Sequence, residues 1–534
     1  MPSVTTKHLA YITAVQFKES FYEPAPEIGY VYIGNHLSYP VENTPPTIAD
    51  TVYDEKSIWD NMMAAKKVTG TDVELVIPRV NWTANTVYKQ YDDKVNLDQL
   101  IEPDASINVK PFYVYTSERN VYKCLSNGRN GTTNSAVKST VEPRGDYTSS
   151  NGNIKTSDGY LWKYMYKVSP SNKFLTDQWI PVPASADLLD YTTNRNLGVI
   201  DGELTTIYVS NSGSNFVEAN INVVSFNAST NLITILNPTT QILDNVSANM
   251  FVTGTGIAPE TYITNYEKQN NRFYISSDTI AAGGGIPSPY TTANQLSLTT
   301  RIYIEGDGTR VVATPTINAA GNLEKVTIST IGTQFSRANV FVYGTGANSG
   351  VSLRPIFDPK YGHGYNPAKE LAANSVMISL RIGEIDSTEN GKISSNTTFR
   401  QYGLLVNPHK YGEQDRVTSA NANSVVDQTT AITIVAGPFY SLDEYVYQGT
   451  ANNATAYGYL ISQSSNEVKL TNVIGTFRTG VPLNGFNSGT SRLVVGVGNP
   501  EFEPYSGDVL YTENTVAITR ADGQAEHIKL IVRF

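Results

Sequence analysis

Cysteine occurs once, at Cys124, in a chain of 534 residues, so an intrachain disulfide is excluded and a zinc knuckle lacks its thiolates. A lone thiol suits assembly in a reducing cytoplasm. Within the expected strand 121–125, Cys124 reads as a small buried residue before it reads as a nucleophile. Histidine is nearly as scarce. His8, His36, His363, His409 and His527 form no HExxH or HxH spacing, and no metal site is expected. His363, between Gly362 and Gly364, sits in a distinctive loop, where a turn role is expected. Charged residues make up only 16 %, and 39 Lys plus Arg against 49 Asp plus Glu leave a net charge of −10 without a basic run. Neither nucleic acid nor a membrane is therefore an expected partner, although a local basic patch would escape such a count. No apolar run is long enough to span a bilayer, and the opening MPSVTTKHLAYITAVQF has no apolar signal-peptide core, so a soluble protein outside the Sec route is expected.

Catalytic patterns are missing too. No GxSxG elbow occurs, the Ser and His positions suggest no triad, and no Gly-Lys-Ser/Thr follows Gly254, Gly256, Gly283, Gly284 or Gly285. EGDGTR at 305–310 reads as a hairpin turn, because the aspartate series of an EF-hand is absent. Carboxylates are scattered, and a glycosidase-like pair would leave no linear trace. The expectation is a protein with no catalytic, cofactor-binding or metal-ligating residues and no cofactor.

What is abundant is Tyr (34) and Gly (40), alongside Asn, Ser and Thr, the mixture of half-buried strands joined by turns. A mainly β, multi-domain sandwich or barrel protein with a few short helices is expected. Its most informative stretch is DGYLWKYMYKV at 158–168. In an extended strand Tyr160, Trp162, Tyr164, Tyr166 and Val168 share one face, and Leu161, Lys163, Met165 and Lys167 the other. The aromatic face needs a cover, either another sheet of the chain or a neighbouring subunit. Lys163, Lys167, Tyr160 and Trp162 are the candidate interface residues, with the lysine face leaning on solvent or a second subunit.

In chain order, 10–32 reads as extended and is broken by Pro24 and Pro26. A helix is expected over 54–67, with Ile58/Met62 and Trp59/Met63 at i, i+4. Strands are expected at 73–77 and on both sides of a turn at 117–120, and a polar loop follows over 126–153. WIPVP at 179–183 reads as an edge segment. IYVSNSGSNFVEANINV at 207–223 and VTISTIGTQFSRANVFV at 326–342 form an internal repeat sharing Gly213/Gly332 and Phe216/Phe335, which suggests one β-module split or duplicated around other strands. Asn366 and Pro367 should cap and open a short helix through Ala373. Residues 376–382 and 401–406 look like paired strands around the polar segment 385–397, and 427–498 has the strand spacing of a small barrel or sandwich. A final strand places Ile528, Leu530, Val532 and Phe534 on one face.

Several of these segments resemble the baseplate wedge protein family of T-even-type contractile-tailed bacteriophages, the eighth gene product. They are the strand DGYLWKYMYKV, IWDNMMAAKKV (58–68) with VIPRVNW (76–82), VYKCL (121–125), EPRGD (142–146), FRQYGLLVNP (399–408) and the C-terminal SGDVLYTENTVAITRADGQAEHIKLIVRF (506–534). The resemblance runs over about 10–195, 351–426 and 499–534. It implies a β-sandwich core made of 1–195, 351–426 and 499–534, interrupted by an inserted β-rich domain at 196–350 and a barrel or sandwich module at 427–498. These insertions, joined near Arg195 and Asp427, inherit nothing. It further implies a homodimer that bridges neighbouring wedge subunits in the virion tail baseplate, assembled in the host cytoplasm, without catalysis. The alternative from the Tyr-rich insertions is a carbohydrate-binding or glycan-degrading tail protein with a host surface glycan as partner.

Overall fold

The computed structural model describes residues 6–22, 27–105, 108–128, 137–183, 198–227, 230–276, 296–347, 349–383, 392–394, 396–521 and 523–534. Expectations resting on Pro24 and Pro26, on the junction near Arg195, on Gly283, Gly284 and Gly285, and on most of 385–397 lie outside these residues. Strands predominate over a few short helices. The chain forms two compact units, residues 1–77 with 373–534, and residues 78–372. Residues 78–183 thus group with the β-modules that follow them, a different partition from the sandwich core expected by resemblance.

In the first unit the start of the chain corrects the sequence reading: it is helical over Lys7–Glu19. Its β-branched and aromatic residues favour a strand, but Tyr11, Ala14 and Lys18 are buried at helical spacing. Phe17 packs its ring 5.2 Å from Phe21 and 5.3 Å from Phe534. The next helix is likewise shorter than expected. It spans Val52–Asn61, capped by the Thr51 hydroxyl, which accepts from the Asp54 amide at 3.1 Å. At Met62 the backbone turns extended, and Met62–Lys67 is a strand. Met, Ala and Lys are good helix formers, yet this strand lies between Gly29–Gly34 and Val425–Asp427, with Met62, Met63, Ala64 and Ala65 buried on both faces. Pairing from both sides overrides propensity.

These strands belong to a five-stranded antiparallel sheet in the order Val425–Asp427, Met62–Lys67, Gly29–Gly34, Thr397–Val406, Asp508–Arg520. Ile58, Trp59, Tyr30, Tyr32, Leu405, Val426 and Phe502 form its core. Tyr32 lies opposite Gly403, where a Cβ would strike the Tyr32 phenol and the Tyr511 carbonyl, so only glycine lets the ring cross the strand. Contrary to expectation, 376–382 and 401–406 do not pair with each other. Ser375–Gly383 pairs with Val73–Pro78 and with Ala525–Arg533, whereas Thr397–Val406 lies in the other sheet.

The stretch expected to be a barrel or sandwich is a closed barrel, ordered Thr430–Ile434, Glu467–Gly475, Asn453–Gln463, Tyr445–Thr450, Pro482–Gly485, Ser491–Val497 and back to the first. Ile432, Val446, Leu460, Leu470, Leu483 and Val494 fill it. Closure removes free edges. Its two chain ends leave side by side, the Gly498 amide donating to the Ala431 carbonyl at 2.7 Å and the Glu501 amide to the Asp427 carbonyl at 3.0 Å.

The second unit holds a four-stranded antiparallel sheet ordered Tyr113–Tyr115, Asn120–Asn127, Tyr160–Lys167, Asn153–Lys155. After it come two further β-modules. One packs the sheet of Ala219–Ile221, Leu296–Thr299 and Phe251–Thr253 with that of Val223–Asn227, Leu232–Ile235, Arg272–Ile275 and Ile263–Glu267. The other consists of the pairs Thr206–Asn211 with Ser352–Ile356, Arg301–Gly306 with Ala338–Tyr343, and Val312–Ile317 with Leu323–Thr330.

The internal repeat is a reciprocal pair within this second module. The Phe216 amide donates to the Gly321 carbonyl at 2.9 Å, and the Phe335 amide to the Gly202 carbonyl at 3.1 Å. Asn215 and Gln334, the residues before each phenylalanine, both have positive φ. Each copy's phenylalanine thus bonds through its amide to the turn that precedes the other copy. EGDGTR is not a hairpin, since the strands on either side take different partners. Asp307 instead accepts from the amides of Ser336 at 3.0 Å and Arg337 at 3.1 Å, and those donors with the Ser336 hydroxyl hold its carboxyl down at about 2.

Candidate functional site

Asn120–Asn127 and Tyr160–Lys167 lie side by side and divide the second unit's chemistry between their faces. On one face Tyr122, Cys124, Tyr160, Trp162 and Tyr164 pack with Tyr88 and Val114. Tyr160 stacks on Trp162 at 5.3 Å, and Tyr88 meets Trp162 edge-on at 5.5 Å. The cover is the chain's own, from 80–88 and Val137. Cys124 is fully buried, and burial raises its thiol pKa well above the ordinary value, which suits a packing role.

The turn before this strand is fixed by Asp158. Its carboxylate accepts from the amides of Thr140 at 2.7 Å and Val141 at 2.9 Å, and from the hydroxyls of Ser139 and Thr156. Burial works against its ionisation, but these donors outweigh it and lower its pKa. Gly159, at φ 92°, then turns the chain into the strand.

The opposite face carries a buried charged cluster. Lys123 and Lys163 are cross-strand partners, 1 % and 0 % exposed. The sequence reading leaned Lys163 on solvent or a second subunit, and it is instead sealed inside the chain. Tyr160 and Trp162 are also fully buried, so of the four candidate interface residues only Lys167 presents its side chain outward. Tyr160, Trp162 and Tyr164 share the aromatic face as expected, but the register shifts between Tyr164 and Tyr166, so Tyr166 and Val168 stay outside that cluster, and both faces of the strand are covered.

Each lysine has its own acid. Lys123 Nζ donates to Glu370 Oε2 at 2.8 Å and meets His363 Nδ1 at 2.9 Å, while lying 4.1 Å from the centre of the Tyr91 ring. Glu370 Oε1 accepts from the Gly364 amide at 2.8 Å. Burial opposes ionisation of Glu370, but Lys123 beside it prevails and brings its pKa to about 2. Burial first, then Lys123, lowers His363 to about 3. The ring is neutral and accepts at Nδ1, leaving the proton on Nε2. His363 is therefore a member of this cluster, beyond the turn role expected for it.

Lys163 donates to the carbonyls of Asn151 at 2.8 Å and Gly198 at 3.0 Å, with Glu203 Oε2 at 3.5 Å. Burial lowers Lys163 and raises Glu203. The Glu203 amide donates to Asp358 at 3.0 Å, and burial pushes Asp358 up to about 7. The cluster thus ties 198–203 and 358–370 to the sheet. Among the described residues no group of His, Cys, Asp and Glu could hold a metal ion, and no helix is long and apolar enough to cross a membrane. Glu203, Asp358 and Glu370 went unseen in the sequence. The available signals were a lysine on each of two aromatic-rich strands and a histidine between glycines.

A profile of the family described as Bacteriophage T4, Gp8 matches residues 101–248. The chain is similar to baseplate wedge proteins of the gp8 family. A curated relative, "Baseplate wedge protein gp8" of Enterobacteria phage T4, is 27 % identical over 168 residues, covering 28 % of this chain and 49 % of the relative. The alignment thus spans about half of that relative's length. The gp8 match contains the aromatic sheet, both buried lysines and Glu203, whereas His363 and Glu370 fall outside it. It also runs past residue 196 to 248, into the stretch expected to inherit nothing from the family.

Proposed function

We propose that this chain is a structural subunit of the baseplate wedge in the tail of a contractile-tailed bacteriophage, working as a homodimer that bridges neighbouring wedge proteins and performing no catalysis. The observation that carries the reading is the gp8 likeness over 101–248, which falls on the sheet around which the second unit is built. Rigidity supports it: this sheet is packed with large rings on one face and charge pairs on the other.

Surface features supply places for subunits to meet. Asp508–Arg520 is a 13-residue strand at the edge of its sheet, with Leu510 and Val516 exposed, and such an edge is a template for another chain. Lys167 supplies an outward charge on the family-like strand. The test is reconstitution. Mixed with the other wedge proteins encoded alongside it, the purified chain is expected to elute on a sizing column in a complex larger than its own oligomer. Elution as a monomer with every partner unbound contradicts the proposal.

A further inference from the structure

Arg301–Gly306 pairs with Ala338–Tyr343 so that Arg301 lies opposite Tyr343, and Tyr303 opposite Phe341. Phe251 and Tyr262 reach over from the neighbouring module. The Arg301 guanidinium carbon lies 3.9 Å from the Tyr262 ring centre, 4.9 Å from Tyr303, 5.6 Å from Phe251 and 5.9 Å from Tyr343. Contacts of this kind are with the charge and consume none of the guanidinium N–H donors. Among the described residues, no hydrogen bond or ion pair from the Arg301 side chain is formed. Burial beneath the rings lowers its pKa, the mark of a cation that has lost water without gaining an acceptor.

Beside it opens a pocket of about 330 Å³, lined by Arg301, Tyr303, Tyr262, Glu260, Thr309 and Arg310 among others. Glu260 is taken up by Arg310, which leaves the Arg301 charge as the pocket's uncompensated one. In a chain of net charge −10, that is a local site for an anion. The volume is at the small end of ligand pockets. Tyr303, in the pocket lining, and its cross-strand neighbour Phe341 are 40 % and 38 % exposed, and their rings stack 6.4 Å apart and 30° from parallel.

We propose that this pocket binds an acidic saccharide, with the sugar carboxylate on the N–H groups of Arg301 and the apolar face of the sugar ring against the exposed ring of Tyr303. The anion needs the fork geometry of an arginine, and the ring needs an exposed aromatic plane. The inference goes beyond a wedge role and depends on these two β-modules alone.

Calorimetric titration of the full chain tests it with three ligands: glucuronate, which has both features, acetate, which has only the charge, and glucose, which has only the ring. Glucuronate is expected to bind saturably and more tightly than either of the others. Arg301→Gln should weaken glucuronate binding by about tenfold or more, with a melting profile showing that the variant folds. Tyr303→Ala, at an exposed position, should weaken it several-fold and serves as the second variant should Arg301→Gln not fold. The proposal is overturned if glucuronate does not bind the unaltered chain, if acetate or glucose binds as tightly, or if the folded variants bind glucuronate unchanged.

Discussion

Lys123 and Lys163 stand opposite each other on adjacent strands, an arrangement that repels unless each charge has its own counter-ion. Glu370 and Glu203 provide them from distant parts of the sequence. Removing one partner of such a pair leaves a buried charge uncompensated, which costs about 3–5 kcal/mol, whereas replacing both is far milder. Lys163→Met should therefore destabilise the chain strongly in urea unfolding, and Lys163→Met with Glu203→Gln should recover part of the loss. A double variant no more stable than the single one would show that the pair is not coupled.

His363 adds a pH dependence. Its folded pKa of about 3 lies below its ordinary value, so the unfolded chain takes up the proton first, and stability falls as pH drops below about 6.5. Glu370, held at about 2, contributes stability that is present above the ordinary Glu range and lost only as pH falls toward 2. Asp358, raised to about 7, runs the other way: its contribution is full in acid and lost as pH rises through 7. Between about pH 6.5 and 5 the neutral histidine is thus opposed by Asp358 and not by Glu370. The melting temperature of His363→Gln should fall less, or rise more, than that of the unaltered chain as pH is lowered through this window. An unchanged slope would contradict the burial of a neutral ring.

Among elements, those fixed by local chemistry were legible before the structure. The Asn366 cap accepts from the Lys369 amide at 2.9 Å at the start of the helix Pro367–Glu370, which stops short of the expected Ala373, and Arg119, at φ 64°, turns the chain within the expected 117–120 connection. The aromatic strand needed only a two-residue period. Elements fixed by distant pairing were not legible. Met62–Lys67 has the composition of a helix and becomes a strand because neighbours arrive on both sides, one of them from Val425–Asp427. The glutamates that neutralise the buried lysines escaped for the same reason, since nothing local marks a carboxylate that will meet a lysine far along the chain.

The barrel is an element of another kind, closed on itself and entered and left at one point, where Glu501 bonds to Asp427. Excising 430–498 and bridging the gap with a short Gly-Ser linker should leave a soluble remainder that melts cooperatively. It should melt at a lower temperature, because Thr471 touches buried His36 at 3.1 Å and Asn472 bonds Asn61 at 2.6 Å. Loss of all soluble protein would contradict the separability of the barrel.

For the whole molecule, composition was the reliable guide: many Tyr and Gly with little charge gave a mainly β protein of several sheets. The division into units was less legible, because the chain leaves the first unit at 77 and returns at 373 without a compositional break. The proposed wedge role makes a demand on this architecture. Rigid sheets must sit where subunits join, and the two β-modules that follow the aromatic sheet must stay accessible. Electron cryo-microscopy of the virus particle that encodes the chain tests this most directly. The account predicts density in the tail baseplate that fits both the five-stranded sheet with its six-stranded barrel and the charged-cluster sheet, with neighbouring wedge subunits in contact. Density for this chain in another part of the particle, or none in a complete baseplate, would contradict it.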